Sequence, residues 1–210
     1  DIRPDRFIPL AEDTGLIREI GAWVFEEGCR QLAAWQSAGH GPLTLAINVS
    51  VRQLPDSLSV DHILATLARH GLGAQQLVLE ITESVLLAES PYMQQWFEAA
   101  GAAGIKIAID DFGTGYSSLA YLKRYPVHHV KIDQSFVRDM AQDATDRALV
   151  EAILAMAHSL GLSVVAEGVE TPEQAGLLMA RACELAQGYL YSRPVPADAF
   201  PALLKKSLPD

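Results

Sequence analysis

The chain has 210 residues, 50% of them hydrophobic, and a formal net charge of −10 from 16 Lys and Arg against 26 Asp and Glu. That length and apolar content suffice for one large domain with a substantial core. The acidic balance, without a basic block, argues against duplex nucleic acid or an anionic membrane as the main partner. No apolar run approaches the ~20 residues of a membrane span, and no signal-peptide pattern is present. Cys29 and Cys183 lack metal-ligand spacing and read as buried free thiols of a reducing compartment. The chain opens at Asp1 without an initiator Met and reads as a piece of something longer.

In chain order, Arg3-Pro4-Asp5 opens a short helix through Phe7, Ile8 and Leu10. A long helix follows, with Ile17, Ile20, Val24, Gly28, Leu32 and Trp35 at helical spacing. Strands are expected at Leu43–Ser50, Gln76–Glu83, Lys106–Asp111, His129–Asp133, Ser163–Val169 and Leu185–Leu190. Between them the pattern predicts helices near 60–70, 91–103, 117–124, 145–160 and 172–182, with a last one near 198–207. Ser90-Pro91 and Thr171-Pro172 each set a hydroxyl before a proline at the first helical position. Gly71, Gly104 and Gly161 close three other helices. Strands alternating with helices in this way imply a parallel sheet with helical crossovers.

Each strand ends in chemistry. Asn48, Glu80, Asp110, Lys131 with Asp133, Glu167 and Gln187 stand at six successive strand ends. On the first three strands the polar residue shares a face with smaller neighbours, while the bulkier face suits helix packing. Alternation puts Asp110 with Ala108 and Lys106, and sends Asp111 to the opposite face unless the backbone turns. Catalytic groups gathered at the C-terminal ends of several strands are the habit of an α/β barrel of the TIM type. Here about six of its eight strands are visible, so the barrel is N-terminally incomplete.

Asn48, Glu80, Asp110, Asp111 and Glu167 form an all-oxygen set suited to hard ions such as Mg²⁺ or Mn²⁺. Four carboxylates exceed what one divalent ion requires, which favours two ions ~3.5–4 Å apart, an arrangement used for phosphodiester hydrolysis. Lys131, beside Asp133 and near two cations, would be pushed by those cations toward the neutral form, or would orient the water and balance the anions.

These residues resemble the EAL domain, a cyclic-di-GMP phosphodiesterase family, over essentially the whole chain. The resemblance rests on Phe7-Ile8-Pro9-Leu10-Ala11-Glu12, Asn48-Val49-Ser50, Glu80-Ile81-Thr82-Glu83, the run Asp110 to Ser118, Lys131-Ile132-Asp133, Ala166-Glu167-Gly168-Val169-Glu170 and Gln187-Gly188-Tyr189, in the family's order. It implies metal-dependent hydrolysis of cyclic-di-GMP to linear pGpG. By the same resemblance Asn48, Glu80 and Asp110 hold one ion, and Asp110, Asp111 and Glu167 a second. Lys131 acts on the attacking water, and Glu170 joins it as a catalytic side chain that lines the substrate end with Gln187. Asp133 contacts substrate, and Glu83 anchors the Asp111–Ser118 loop. A homodimer across the helix after Ser118, upstream sensory or cyclase domains, and a cytoplasmic location in a parent that could be membrane-anchored are also implied.

One departure matters. The Glu-Ala-Leu strand that names the family, with its metal-binding Glu and nearby Arg, does not occur in these residues. The 210 residues alone are therefore expected to show weak or no activity. The alternative reading is a non-catalytic module that binds cyclic-di-GMP. Trp23, Trp35 and Trp96 are expected to pack helices, Tyr116, Tyr189 and Tyr191 to lie near the rim, and Glu12 to be an ordinary solvated position.

Overall fold

The computed structural model describes residues 2–54, 56–87, 90–115 and 119–205. Tyr116, Ser117 and Ser118 of the expected loop lie outside the described residues, as does the end of the expected C-terminal helix. The chain packs as two compact units. One comprises the residues up to Ile81 with Val85–Ile107, the other Thr82–Ser84 with the residues from Ala108 onward.

The first unit contains α1 (Pro4–Thr14), α2 (Ile17–Ser37), β1 (Leu45–Asn48), α3 (Val60–Arg69), β2 (Leu77–Thr82, less its last residue), most of α4 (Glu83–Leu87), α5 (Pro91–Ala102) and the start of β3 (Lys106–Phe112). Pro4 opens α1 and Gly15, at φ +81°, closes it in the left-handed conformation. β1 and β2 pair in parallel, with Leu45 opposite Leu77 and Asn48 opposite Glu80. The bulky alternate residues Ile47, Leu77, Leu79 and Ile81 are buried with Phe25, Leu32, Ile63 and Phe97. The other face carries Asn48 and Glu80. Gly28 lets α2 approach β1 closely, since a Cβ there would stand 3.0 Å from Leu45 Cδ2.

In the second unit β3 continues, followed by α6 (Leu119–Arg124), β4 (His129–Ile132), α7 (Gln134–Asp139), α8 (Ala144–Ser159), β5 (Ser163–Ala166), α9 (Pro172–Met179), β6 (Leu185–Ala186) and α10 (Phe200–Leu203). Each of these strands pairs in parallel with the next in the chain. Ile109, Val130, Ile132, Val164 and Ala166 are buried. Six parallel strands alternating with helices follow the order of a TIM-like barrel that lacks two of its eight strands, as the sequence implied.

Several expectations change in detail. β5 stops at Ala166 and β6 at Ala186, so Glu167 and Gln187 stand in loops just beyond their strands. Gly168 takes φ +67°, with Gln134 Cβ 2.5 Å from where its own Cβ would be, and this ends β5. Two short helices, α4 and α7, follow their strands directly. Trp96 is buried and donates from Nε1 to the Leu58 carbonyl at 2.7 Å, whereas Trp23 is exposed and packs no interior. Cys29 is buried, but Cys183 is only half-buried. Among the described residues no helix is long and apolar enough to cross a membrane.

The stretch after β6 lies against the stretch after β5 through main-chain bonds. Gln187 N donates to Ala166 O at 2.8 Å, Val169 N to Gln187 O at 3.1 Å, and Leu190 N to Val169 O at 3.0 Å. Gly188 makes this approach possible, because a Cβ there would lie 2.2 Å from Val169 O. Gly188→Ala should therefore lower the melting temperature strongly or abolish folding. Gly176→Ala, in α9 with nothing within 4 Å of its Cβ position, should stabilise by up to about 1 kcal/mol. Thermal denaturation of the two variants checks the contrast.

Candidate active site

The site in the second unit begins with an irregularity in β3. Ala108 pairs with His129 and Ile109 with Val130, but Phe112 pairs with Ile132, so β3 carries one extra residue between Ile109 and Phe112. This is a β-bulge, a feature that re-aims side chains at the rims of barrels. Asp111 sits in it at φ +53°. The left-handed region costs most residues about 1–2 kcal/mol, and Asp is among the few that visit it routinely. Simple alternation would place the two aspartates on opposite faces. The bulge brings them to one side, where Asp111 N also donates to Asp110 Oδ1 at 3.1 Å. The turn is held by Thr114, whose hydroxyl donates to Asp111 O at 2.8 Å.

One oxygen each from Asp110, Asp111 and Glu167 lies within 4.8 Å of the others. Lys131 reaches in from β4 and is 2% exposed. Its Nζ lies 3.0 Å from Asp110 Oδ1 and 2.7 Å from Glu167 Oε1. Glu167 Oε1 also accepts from Gln187 Nε2 at 3.3 Å. Three carboxylates thus share one buried ammonium, leaving an excess of negative charge. The Asp111 carboxyl responds to burial as well as to that charge. Desolvation first, then Asp110 and Asp133, push its pKa above the ordinary value, against the opposing pull of Lys131. An all-oxygen cluster short of positive charge fits a hard divalent cation.

In the first unit Asn48 and Glu80 are register partners at the ends of β1 and β2, and Val49 N donates to Glu80 O at 2.8 Å. Of the five oxygen-bearing residues singled out from the sequence, Asn48 and Glu80 stand side by side in the first unit, and Asp110, Asp111 and Glu167 cluster in the second.

Glu170 and Gln187 line a cleft of about 250 Å³ together with Gln134, Glu167 and Tyr189. Asp133 does not extend β4. It caps α7, with Oδ1 accepting from Ser135 N at 2.9 Å and from the Ser135 hydroxyl. Glu83 opens α4 and is 7% exposed. Its carboxylate lies against Gly115, where a Cβ would stand 3.3 Å from Oε2, and neither oxygen has a hydrogen-bond partner among the described residues. The loop residues 116–118 that Glu83 was expected to anchor lie outside the description.

Gln174 was missed by the sequence reading. It is 4% exposed, and its Oε1 accepts from Glu170 N at 2.8 Å and Thr171 N at 2.9 Å. Its Nε2 donates to the carbonyls of Val137 and Arg138 at 3.2 and 2.9 Å. It ties the backbone of Glu170 to α7. The signal was there in Thr171-x-x-Gln174, a capping box.

The family model of the EAL domain matches residues 1–194. The chain belongs to the EAL domain family. This EAL domain is 45% identical over 197 residues to the bifunctional diguanylate cyclase/cyclic di-GMP phosphodiesterase MucR of Pseudomonas aeruginosa, across 94% of this chain and 29% of MucR. It therefore spans under a third of that relative's length. The solved complex of PaMucR phosphodiesterase with c-di-GMP resembles the EAL domain with a TM-score of 0.89 at 45% identity, over 95% of this chain and 81% of that one. A manganese/cy-diGMP complex of Klebsiella pneumoniae BlrP1 gives a TM-score of 0.72 at 35% identity, over 85% of this chain and 44% of that one.

Two measurements test the charge excess in this EAL domain. Mn²⁺ at 100 times its dissociation constant should stabilise the fold by about 2.7 kcal/mol, seen as a higher melting temperature that a chelator reverses, and Asp110→Asn should remove most of that shift. Asp111 also has a pH signature. A carboxyl whose folded pKa is raised destabilises the fold when ionised, so without metal Asp111→Asn should melt higher than the parent at neutral pH. That advantage should fade as pH falls from the raised folded pKa through the ordinary carboxylate range. Melting temperatures across pH, with and without Mn²⁺, check both.

Proposed function

We propose that this EAL domain hydrolyses cyclic-di-GMP to linear pGpG with two divalent cations, Mg²⁺ or Mn²⁺. The observation that carries the reading is the Asp110–Asp111–Glu167 cluster around buried Lys131, in a chain 45% identical to MucR. Asn48, Glu80 and Asp110 would hold one ion, and Asp110, Asp111 and Glu167 the other. Bound there, the ions supply charge neutralisation of the phosphodiester and a water of lowered pKa.

The remaining roles fall to the chain itself. Lys131 is ion-paired to Asp110 and Glu167, and an ammonium so placed donates hydrogen bonds. It suits the orienting of the attacking water better than the removal of its proton. Gln187 holds Glu167 in direction through its amide and, with Glu170, forms the wall of the cleft that would receive the dinucleotide. Asp133 sets α7 at the rim and adds to the negative charge around Asp111, so it supports the site, with a substrate contact as its further role. Glu83, pressed against Gly115, would set the path of the loop that follows Asp111. Pairing of two copies through α6 and further signalling domains in the parent protein belong to the same reading.

The decisive assay is product analysis with cyclic-di-GMP and Mn²⁺, for this chain and for a version extended upstream. The extended version should yield linear pGpG. The 210 residues, which contain no Glu-Ala-Leu sequence, should turn over more slowly. Lys131→Met in the extended version should lower kcat by about a hundred-fold or more while cyclic-di-GMP still binds. Tight binding of the dinucleotide by the unaltered extended protein, with no pGpG at any metal concentration, would overturn the reading in favour of a receptor.

A further inference from the structure

Glu12, the last residue of the Phe7–Glu12 motif, was expected to face solvent without a role. It does not. Glu12 Oε1 accepts from the Ser50 hydroxyl at 2.6 Å, across 38 residues of chain. Ser50 is two residues beyond Asn48, and the segment it begins is held by α1 and α2 at Ser50, Arg52 and Gln53.

The grip has several parts. Ser50 N donates to Gln53 Oε1 at 2.9 Å, and Arg52 N donates to the Ser50 hydroxyl at 3.2 Å. Gln53 is 3% exposed. Its amide fills the space beside Gly21 of α2, where a Cβ would stand 1.6 Å from Gln53 Nε2. Arg18 Nε donates to Arg52 O at 3.1 Å, and Arg52 pairs with Asp13 at 3.7 Å. On the other side Val49 N is fixed to Glu80 O. The chain leaving Asn48 is therefore pinned by β2 one residue on and by the α1–α2 pair two to five residues on. Of the contacts from α1, the Glu12–Ser50 bond is the short one and the one with part-buried partners, whereas the Arg52–Asp13 pair is exposed and weak.

We propose that Glu12 is a positioning residue for Asn48. By holding Ser50, it fixes the direction in which the Asn48 amide is presented beside Glu80, and so sets the affinity of the divalent ion that those two residues bind. The inference rests on the reading of Asn48 and Glu80 as metal ligands. Groups that orient a ligand from behind typically govern metal affinity by 10- to 100-fold, and a contact made through two intervening residues belongs at the low end.

The test is Mn²⁺ binding followed by the electron paramagnetic resonance of the free ion, with metal-free melting temperatures measured alongside. Glu12→Ala and Ser50→Ala should each weaken the Asn48-side ion about ten-fold, and the double variant should be no worse than either alone. Glu12→Gln, whose amide oxygen can still accept from Ser50, should bind Mn²⁺ as the parent does. Asp13→Ala, which removes only the exposed pair with Arg52, should also leave binding unchanged. A purely structural Glu12 would lower the melting temperature without moving the Mn²⁺ affinity, and that outcome overturns the proposal while leaving the proposed function standing. If the unaltered protein binds no Mn²⁺, the ligand reading itself fails and the inference falls with it. Should Glu12→Ala not fold, Ser50→Ala, which removes the same bond from the other end, decides.

Discussion

Mutual repulsion of carboxylates is the constraint to which the second unit is built. Asp110, Asp111 and Glu167 are drawn together at the ends of two parallel strands, a placement that costs free energy unless positive charge is brought to them. Lys131, a buried side chain of β4, supplies part of it, with its ammonium paired to Asp110 and Glu167. Asp111, beside Asp110 and Asp133, has its carboxyl pushed above the ordinary pKa by burial first and by those neighbours second. A site that is under-compensated by its own residues is one that an outside cation would complete, and under the proposed function this would link the stability of the fold to occupancy of the site.

Holding such groups in place is the work of backbone devices. The bulge in β3 turns Asp111. The glycines at 168 and 188 bring the loops after β5 and β6 into main-chain contact. Gln174 fastens the peptide of Glu170 to α7. In the first unit the α1–α2 pair performs the same service for the residues after Asn48. The bulge acts within the last stretch of pairing in β3, and the others act on the residues that follow a strand end, where parallel pairing has stopped.

Much of this was legible in the sequence because it depends on period and composition. Alternation in Leu77–Thr82 separated the buried Leu77, Leu79 and Ile81 from Glu80, and burial in the structure follows the same division. The polar residue at each strand end could be named, and the ordered motifs gave the family. What period alone could not give was the fate of Asp111, since a bulge breaks the alternation from which its direction was argued. Strand lengths were overestimated at Ser163–Val169 and Leu185–Leu190 because β-prone residues continue past the point where glycine breaks the pairing. The helix after Asp133 was hidden by its brevity, although Asp133-Gln134-Ser135 carries a capping residue in plain view. Glu12 and Gln174 act across 38 and 37 residues. Contacts of that span leave only local traces, such as a capping box or a motif with no evident purpose.

The wall behind Glu170 and Gln187 is stitched together by peptide groups. Its shape therefore rests on the two glycines that admit the close approach and on the buried Ala166 and Val169, and not on the side chains that face the cleft. Diversification of what the cleft admits is then channelled into lining residues outside the carboxylate cluster and its hydrogen bonds, of which Tyr189 is one. A rigid frame whose lining can change without moving the backbone is a geometry from which new selectivities can arise without rebuilding the scaffold.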